Sequence, residues 1–229
     1  MSGFNLVFTI KKTIMKPQLI SLFAVLVLLQ FSCKKENERT GIDFNVSTTG
    51  RTTTVGRLAG TTGTINWTSG YASAREIEFE AENENTEVEY KSSANQRINL
   101  FNPLSSLGFV NIPPGTYKEV EFEIHLSPTP PDAALELKGL YNAIPIVFRI
   151  NTPLEIEAEF EDVTINQSSD FSAMISLNLA LLTRGITDAA LANATLTNGE
   201  IVISSNSNTA LYNIMINNFK EIDDVELDD

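Results

Sequence analysis

Residues 119–126 read Glu119-Val120-Glu121-Phe122-Glu123-Ile124-His125-Leu126. Apolar side chains occupy every second position, so an extended backbone sends Val120, Phe122, Ile124 and Leu126 to one face and the charged set to the other. This is the habit of a strand in an antiparallel sheet with one face packed and one in water. The pattern recurs where Ile77, Phe79 and Ala81 alternate with Glu76, Glu78 and Glu80, and where Leu154, Ile156, Ala158 and Phe160 alternate with Glu155, Glu157, Glu159 and Glu161. Ile144, Ile146, Phe148 and Ile150 form another set, and Phe171, Ala173, Ile175, Leu177 and Leu179 a longer one. Such strands, separated by Gly, Pro and Asn clusters, predict a mainly β fold, an antiparallel β-sandwich.

Upstream of these strands lies a Thr/Gly tract from Ser47 to Thr64. Threonine tolerates strands and glycine punctuates them, and the flanking Ile42, Phe44 and Val46, like Ile65 and Trp67, alternate; short strands joined by tight turns are expected. Pro113-Pro114-Gly115-Thr116 predicts a type II turn, with proline fixing the second position and glycine accepting positive φ at the third. Two segments carry a helical period. Leu182, Ile186, Ala189, Ala190 and Leu191 predict a short helix with Thr187 or Asp188 as N-cap. Leu211, Met215, Phe219 and Ile222 recur at three- and four-residue spacing, which predicts a C-terminal helix capped by Asn208 or Thr209, followed by a fraying Asp-rich tail.

The N-terminal region is of another kind. Met15-Lys16-Pro17-Gln18 precedes Leu19–Leu29, a segment apolar but for Ser21, and then Gln30-Phe31-Ser32-Cys33-Lys34-Lys35-Glu36. As a helix that segment spans only about half of a ~30 Å hydrocarbon core, whereas it suits the apolar region of a cleaved export signal. A basic start, an apolar run and the sole cysteine at the change to charged sequence read as a lipoprotein signal, with Cys33 as the lipid-attachment residue. Gln30 stands three residues before Cys33, where such signals carry Leu, and Leu29 lies one position further back. A second, poorer apolar stretch, Phe4–Ile10, precedes Met15 and makes Met15 the expected true start. The expected organisation is a signal peptide over 1–32, a lipidated cysteine and tether over 33–40, and one folded domain over 41–229.

Charge and cysteine content narrow the function. The signal removes Lys11, Lys12 and Lys16 and no acid, leaving 13 basic against 29 acidic residues and a net charge near −16. Such a chain lacks the basic footprint that phosphates require, so nucleic acid is not an expected partner, and a membrane is met through the anchor rather than through the protein surface. With Cys33 acylated no disulfide remains, and stability must come from a packed core.

Two groups of motifs carry a resemblance. Asn111-Ile112-Pro113-Pro114-Gly115-Thr116-Tyr117 before an alternating strand is one. The run Leu179 to Thr187, followed by Asn198-Gly199-Glu200-Ile201-Val202-Ile203 and Asn208-Thr209-Ala210-Leu211-Tyr212, is the other. Together they resemble uncharacterised Bacteroidetes-type lipoproteins with a β-sandwich domain of unknown function. Similar Pro-Gly-Thr-Tyr corners occur in transthyretin-like modules. Lys34, Lys35, Glu36 and Glu38 resemble the lysine-then-acidic export signals of surface lipoproteins in such bacteria. The resemblance implies lipid anchoring at the outer membrane, with the cell surface favoured over the periplasmic face, and it carries over no catalytic residue.

No catalytic constellation is read from the residues. A triad would need His125, the sole histidine, which the alternation places on the wet face of its strand. One histidine and an acylated cysteine allow no zinc cluster, the terminal Asp223, Asp224, Asp228 and Asp229 lack an EF-hand loop, and no cofactor is expected. Abundant carboxylates leave a glycoside hydrolase as the alternative, although regular alternation is the mark of a hydrated sheet face. The candidate binding residues are Trp67 and Tyr71 in Trp67-Thr68-Ser69-Gly70-Tyr71, which could stack on a glycan or a protein ligand; against this, a lone tryptophan following Ile65 in phase reads as core packing. A non-catalytic binding or structural module at the cell envelope is the expected function.

Overall fold

The computed structural model describes residues 40–58, 61–84, 86–93, 95–102, 105–166, 170–220 and 223–228. The signal, Cys33 and all but the last tether residue therefore lie outside the described residues, as does Ile222. The elements in chain order are β1 (Gly41–Thr49), β2 (Thr52–Leu58), β3 (Thr61–Glu82), β4 (Glu87–Ser92), β5 (Gln96–Asn99), β6 (Ser105–Asn111), β7 (Gly115–Leu126), β8 (Leu135–Tyr141), β9 (Ile144–Ile150), β10 (Leu154–Ile165), β11 (Asp170–Asn178), α1 (Leu179–Leu182), α2 (Asp188–Ala192), β12 (Leu196–Thr197), β13 (Glu200–Ile203), α3 (Thr209–Phe219) and β14 (Asp223–Asp228). The fold is mainly β, as the alternation predicts.

The strands form two mixed sheets. One has the order β14-β11-β1-β6; the other runs β10-β7-β3-β8-β9-β13-β12, with β2, β4 and β5 also paired to β3. The expectation of purely antiparallel sheets is corrected here: β1 pairs with β11, and β9 with β13, in parallel. Hairpins enforce antiparallel pairing, but parallel neighbours arise through long crossovers, and alternation in a single strand carries no information about its partner's direction. The helical expectation is also revised, because α3 is not the last element: β14, placed where a fraying tail was expected, pairs with β11.

The 22-residue β3 is the spine of the larger sheet. Ile65 and Trp67 point into the core, then Ala72 and Ala74, then Ile77, Phe79 and Ala81. These three phases are separated by register shifts between Trp67 and Ser69 and between Ala74 and Glu76. Each shift inserts one residue, and one residue exchanges the two faces of a strand. At the first shift β8 passes so close that a Cβ on Gly139 would lie 2.3 Å from the Asn66 carbonyl oxygen, a position only glycine fills.

Both sheets contribute to one core. Phe44 of β1 stacks on Phe122 of β7 with ring centroids 4.0 Å apart and planes 5° from parallel, and meets Phe79 of β3 at 5.6 Å. The Pro113–Thr116 corner differs from the predicted type II turn. Gly115 is absent from the positive-φ residues and pairs with Ile165 as the first rung of β7. The corner is fixed instead by buried Tyr117, whose hydroxyl donates to the Pro113 carbonyl at 2.8 Å. Thr187 caps α2 as expected, accepting from Ala190 N at 3.2 Å. Asn208 precedes α3 in a left-handed conformation, but its side chain does not cap the helix. It bonds Thr195 and the Val202 carbonyl and so ties the helix to the β12–β13 hairpin, whose turn is Asn198-Gly199, both at positive φ.

Candidate functional site

The two aromatic candidates separate at the first bulge of β3. Trp67 lies in the core, 2% exposed, with its face closed to any ligand. Tyr71, four residues on and of the same parity, falls on the opposite face because the inserted residue reverses the alternation. There it lines a cavity of about 380 Å³ with Ser69, Gly70, Arg97, Asn99, Glu136 and Lys138. Cross-strand register builds this site: Tyr71 stands opposite Asn99 of β5 and Glu136 of β8, and Glu136 opposite Arg149 of β9.

Fixed charges hold the cavity's shape. The Arg97 guanidinium sits 3.5 Å above the Tyr71 ring and reaches Asp132, while the Tyr71 hydroxyl accepts from Ala133 N at 3.2 Å. That guanidinium covers one face of the ring, so stacking on Tyr71 is replaced by a polar surface over it. Glu136, 5% exposed, accepts two hydrogen bonds from Arg149, the Nε one at 2.8 Å, and its other oxygen is 3.0 Å from Lys138 Nζ. Burial pushes this carboxyl up, but the bonds from Lys138 and Arg149 outweigh it and hold the group below the usual carboxylate range. The cavity thus offers a carboxylate acceptor, two cationic donors, an amide and a hydroxyl. Arg97, Asn99, Glu136 and Lys138 were not singled out from sequence; only their register with Tyr71, fixed by the bulge, brings them together.

Beyond the second bulge the outer face of the same sheet is acidic. The rows across β3, β7 and β10 are Glu76, His125, Glu155; Glu78, Glu123, Glu157; Glu80, Glu121, Glu159; and Glu82, Glu119, Glu161. On the other side of β3, Lys91 stands opposite Glu78, Glu89 opposite Glu80 and Glu87 opposite Glu82. Like charges directly opposite repel. The repulsion is visible in Glu80, raised by burial and by Glu87 and Glu89, and in Glu121, pushed up to about 7 by its hydrogen bond with Glu123, then by burial and by Glu157 and Glu80. Lys91 bonds both Glu76 and Glu78, the latter at 2.5 Å, and holds Glu78 below its ordinary value. His125 lies on this face as expected, but it is embedded rather than freely hydrated, with Nε2 3.0 Å from Glu123 Oε2 and 3.1 Å from Glu78 Oε1, and Nδ1 3.5 Å from Glu155 Oε2.

Another hollow, about 270 Å³, opens between β4 and β6 and reaches Phe44, Ile77 and Phe122, with Tyr90 exposed at its rim. Among the described residues no helix is long and apolar enough to cross a membrane. The chain matches no protein-family model, no curated protein and no solved structure.

Proposed function

We propose that this chain is a lipid-anchored envelope protein of the Bacteroidetes lipoprotein type, attached to the outer membrane through Cys33, whose folded part is a β-sandwich acting as a non-catalytic binding module for a glycan. The Tyr71 cavity carries the reading. A saccharide presents many hydroxyls that each donate and accept, and this cavity sets Glu136 and Asn99 as acceptors beside Arg97 and Lys138 as donors on rigid strands. Its size falls at the lower end of the ~300–1,000 Å³ typical of ligand pockets. The sandwich reading rests on Phe44 packing against Phe79 and Phe122 across the two sheets, and on the Tyr117 hydroxyl closing a corner onto the backbone four residues upstream, as tyrosine corners of sandwiches do.

The alternative, a carboxylate-dependent glycoside hydrolase, draws on the raised carboxyl of Glu121 beside Glu123. A hydrolase needs two acids flanking a bond, about 5–9.5 Å apart. Glu121 and Glu123 are hydrogen-bonded to each other and line a recess of about 40 Å³, which favours binding over hydrolysis. A glycan array probed with the purified protein, beside Lys138→Ala and Asn99→Ala, tests the proposal. The expected result is retention of one glycan class by the wild type and at least tenfold weaker binding by both variants, with strand content by circular dichroism unchanged. Retention of no glycan, or equal retention by the variants, contradicts it.

A further inference from the structure

We infer that Glu78, Glu123 and His125 form a site for a divalent transition-metal ion of the zinc type on the outer face of the β4-β3-β7-β10 half of the larger sheet. One ligand atom from each of these side chains lies within 4.8 Å of the other two, the spacing a single ion bridges. The expectation of no zinc cluster counted histidine and cysteine alone; here two carboxylates complete the set, and its imidazole nitrogen is the ligand that distinguishes zinc-type ions from calcium and magnesium. Three observations about the set point to an ion. First, Nε2 is shielded from solvent and makes no hydrogen bond, although two carboxylate oxygens lie 3.0 and 3.1 Å from it. A zinc-type ion takes the place of any proton on Nε2 and binds the lone pair so freed, with the two carboxylates beside it neutralising its charge. Second, Nδ1 lies 3.5 Å from the Glu155 carboxylate, which places an acid where it can receive the other ring N–H once an ion holds Nε2. Third, the ligands come from adjacent rungs of two paired strands, Glu78 opposite Glu123 and Glu76 opposite His125, so the backbone sets their separation.

Lys91 is the local competitor. Its ammonium bonds Glu78 Oε1 at 2.5 Å and also Glu76, so metal entry releases it from Glu78 while Glu76 retains it. This contact gives the site a signature that a diffuse acidic surface lacks: removing a positive charge two strands from the histidine tightens binding at the histidine.

The chain has one histidine, so its imidazole gives a single Hε1 resonance by proton NMR. Titrating the purified protein with ZnCl2 is expected to shift or broaden that resonance to saturation at one equivalent, with excess CaCl2 failing to reverse it. His125→Ala is expected to weaken zinc binding, read by calorimetry, at least tenfold, Glu155→Gln by about tenfold to a hundredfold as loss of an outer-shell partner does, and Lys91→Met to strengthen it. Should His125→Ala fail to fold, Glu155→Gln and the wild-type resonance still decide the matter. Zinc binding that leaves the imidazole resonance unmoved, an unchanged affinity in Glu155→Gln, or the absence of binding overturns the inference. None of these readouts depends on a glycan.

Discussion

Truncating Phe44 tests whether the two sheets share one core. The ring is 1% exposed, lies flat on Phe122 at 4.0 Å and is tilted by 55° against Phe79 at 5.6 Å. Phe44→Ala removes this contact from the only ring pairs that join β1 to β7 and β3 among the described residues, and burial of this kind is worth about 3–5 kcal/mol. Since whole domains are stable by ~5–15 kcal/mol, the variant should lose a large part of its stability. Phe44→Leu keeps most of the volume and forfeits chiefly the ring–ring terms, ~0.5–1.5 kcal/mol for each pair. Urea denaturation followed by the fluorescence of Trp67, the sole tryptophan and itself buried, gives both numbers. A double-mutant cycle of Phe44→Leu with Phe122→Leu should return a coupling of about 0.5–1.5 kcal/mol. Additivity within ~0.3 kcal/mol, together with a cost below ~1 kcal/mol for Phe44→Ala, would refute the packing of the two sheets.

Further outcomes follow from individual contacts. Tyr117→Phe leaves the Pro113 carbonyl without its donor and should lower stability by about 1–2 kcal/mol in the same denaturation assay, with no change in strand content by circular dichroism. Glu136→Gln weakens the bonds from Arg149 and Lys138 and should cost about 1–3 kcal/mol at neutral pH. Because the Glu136 carboxyl is held below its unfolded value, this stabilisation is present above the unfolded pKa, so the gap between wild type and variant should close as pH falls through the folded one. Glu121 has the opposite sign. Its carboxyl is raised to about 7, so the fold loses stability as pH rises from 4.5 towards 7, and Glu121→Gln should melt higher than wild type at pH 8 while matching it at pH 4. Solvent screening on this open face limits that gain to about 1 kcal/mol.

The sequence carried the strands because burial on one face writes itself into every second residue, as in Val120 to Leu126 and Ile156 to Ala158. It carried the Thr187 cap for a similar reason, since a hydroxyl bonding three residues ahead is a local event. What it did not carry depends on partners remote in sequence. The parallel pairings of β1 with β11 and β9 with β13 leave no trace in either strand's alternation. The positive φ expected at Gly115 yielded to the ladder with Ile165, a tertiary pairing that outweighs local turn preference. Trp67 and Tyr71 share a parity, so only the inserted residue between them assigns one to the core and the other to the cavity. The phase change was present in the sequence, in the step from the odd apolar positions Ile65 and Trp67 to the even Ala72 and Ala74. Small residues made that second phase faint, and the cavity's Arg97 and Glu136 could be matched to Tyr71 only once it was fixed.

Lipid attachment at Cys33 is the claim on which the proposed place of this protein in the cell envelope depends, and metabolic labelling with radiolabelled palmitate tests it most directly. Label is expected to enter the wild-type protein and to be lost in Cys33→Ser, with the variant leaving the membrane fraction. An unlabelled wild-type protein, with Cys33→Ser still fractionating with membranes, would contradict it.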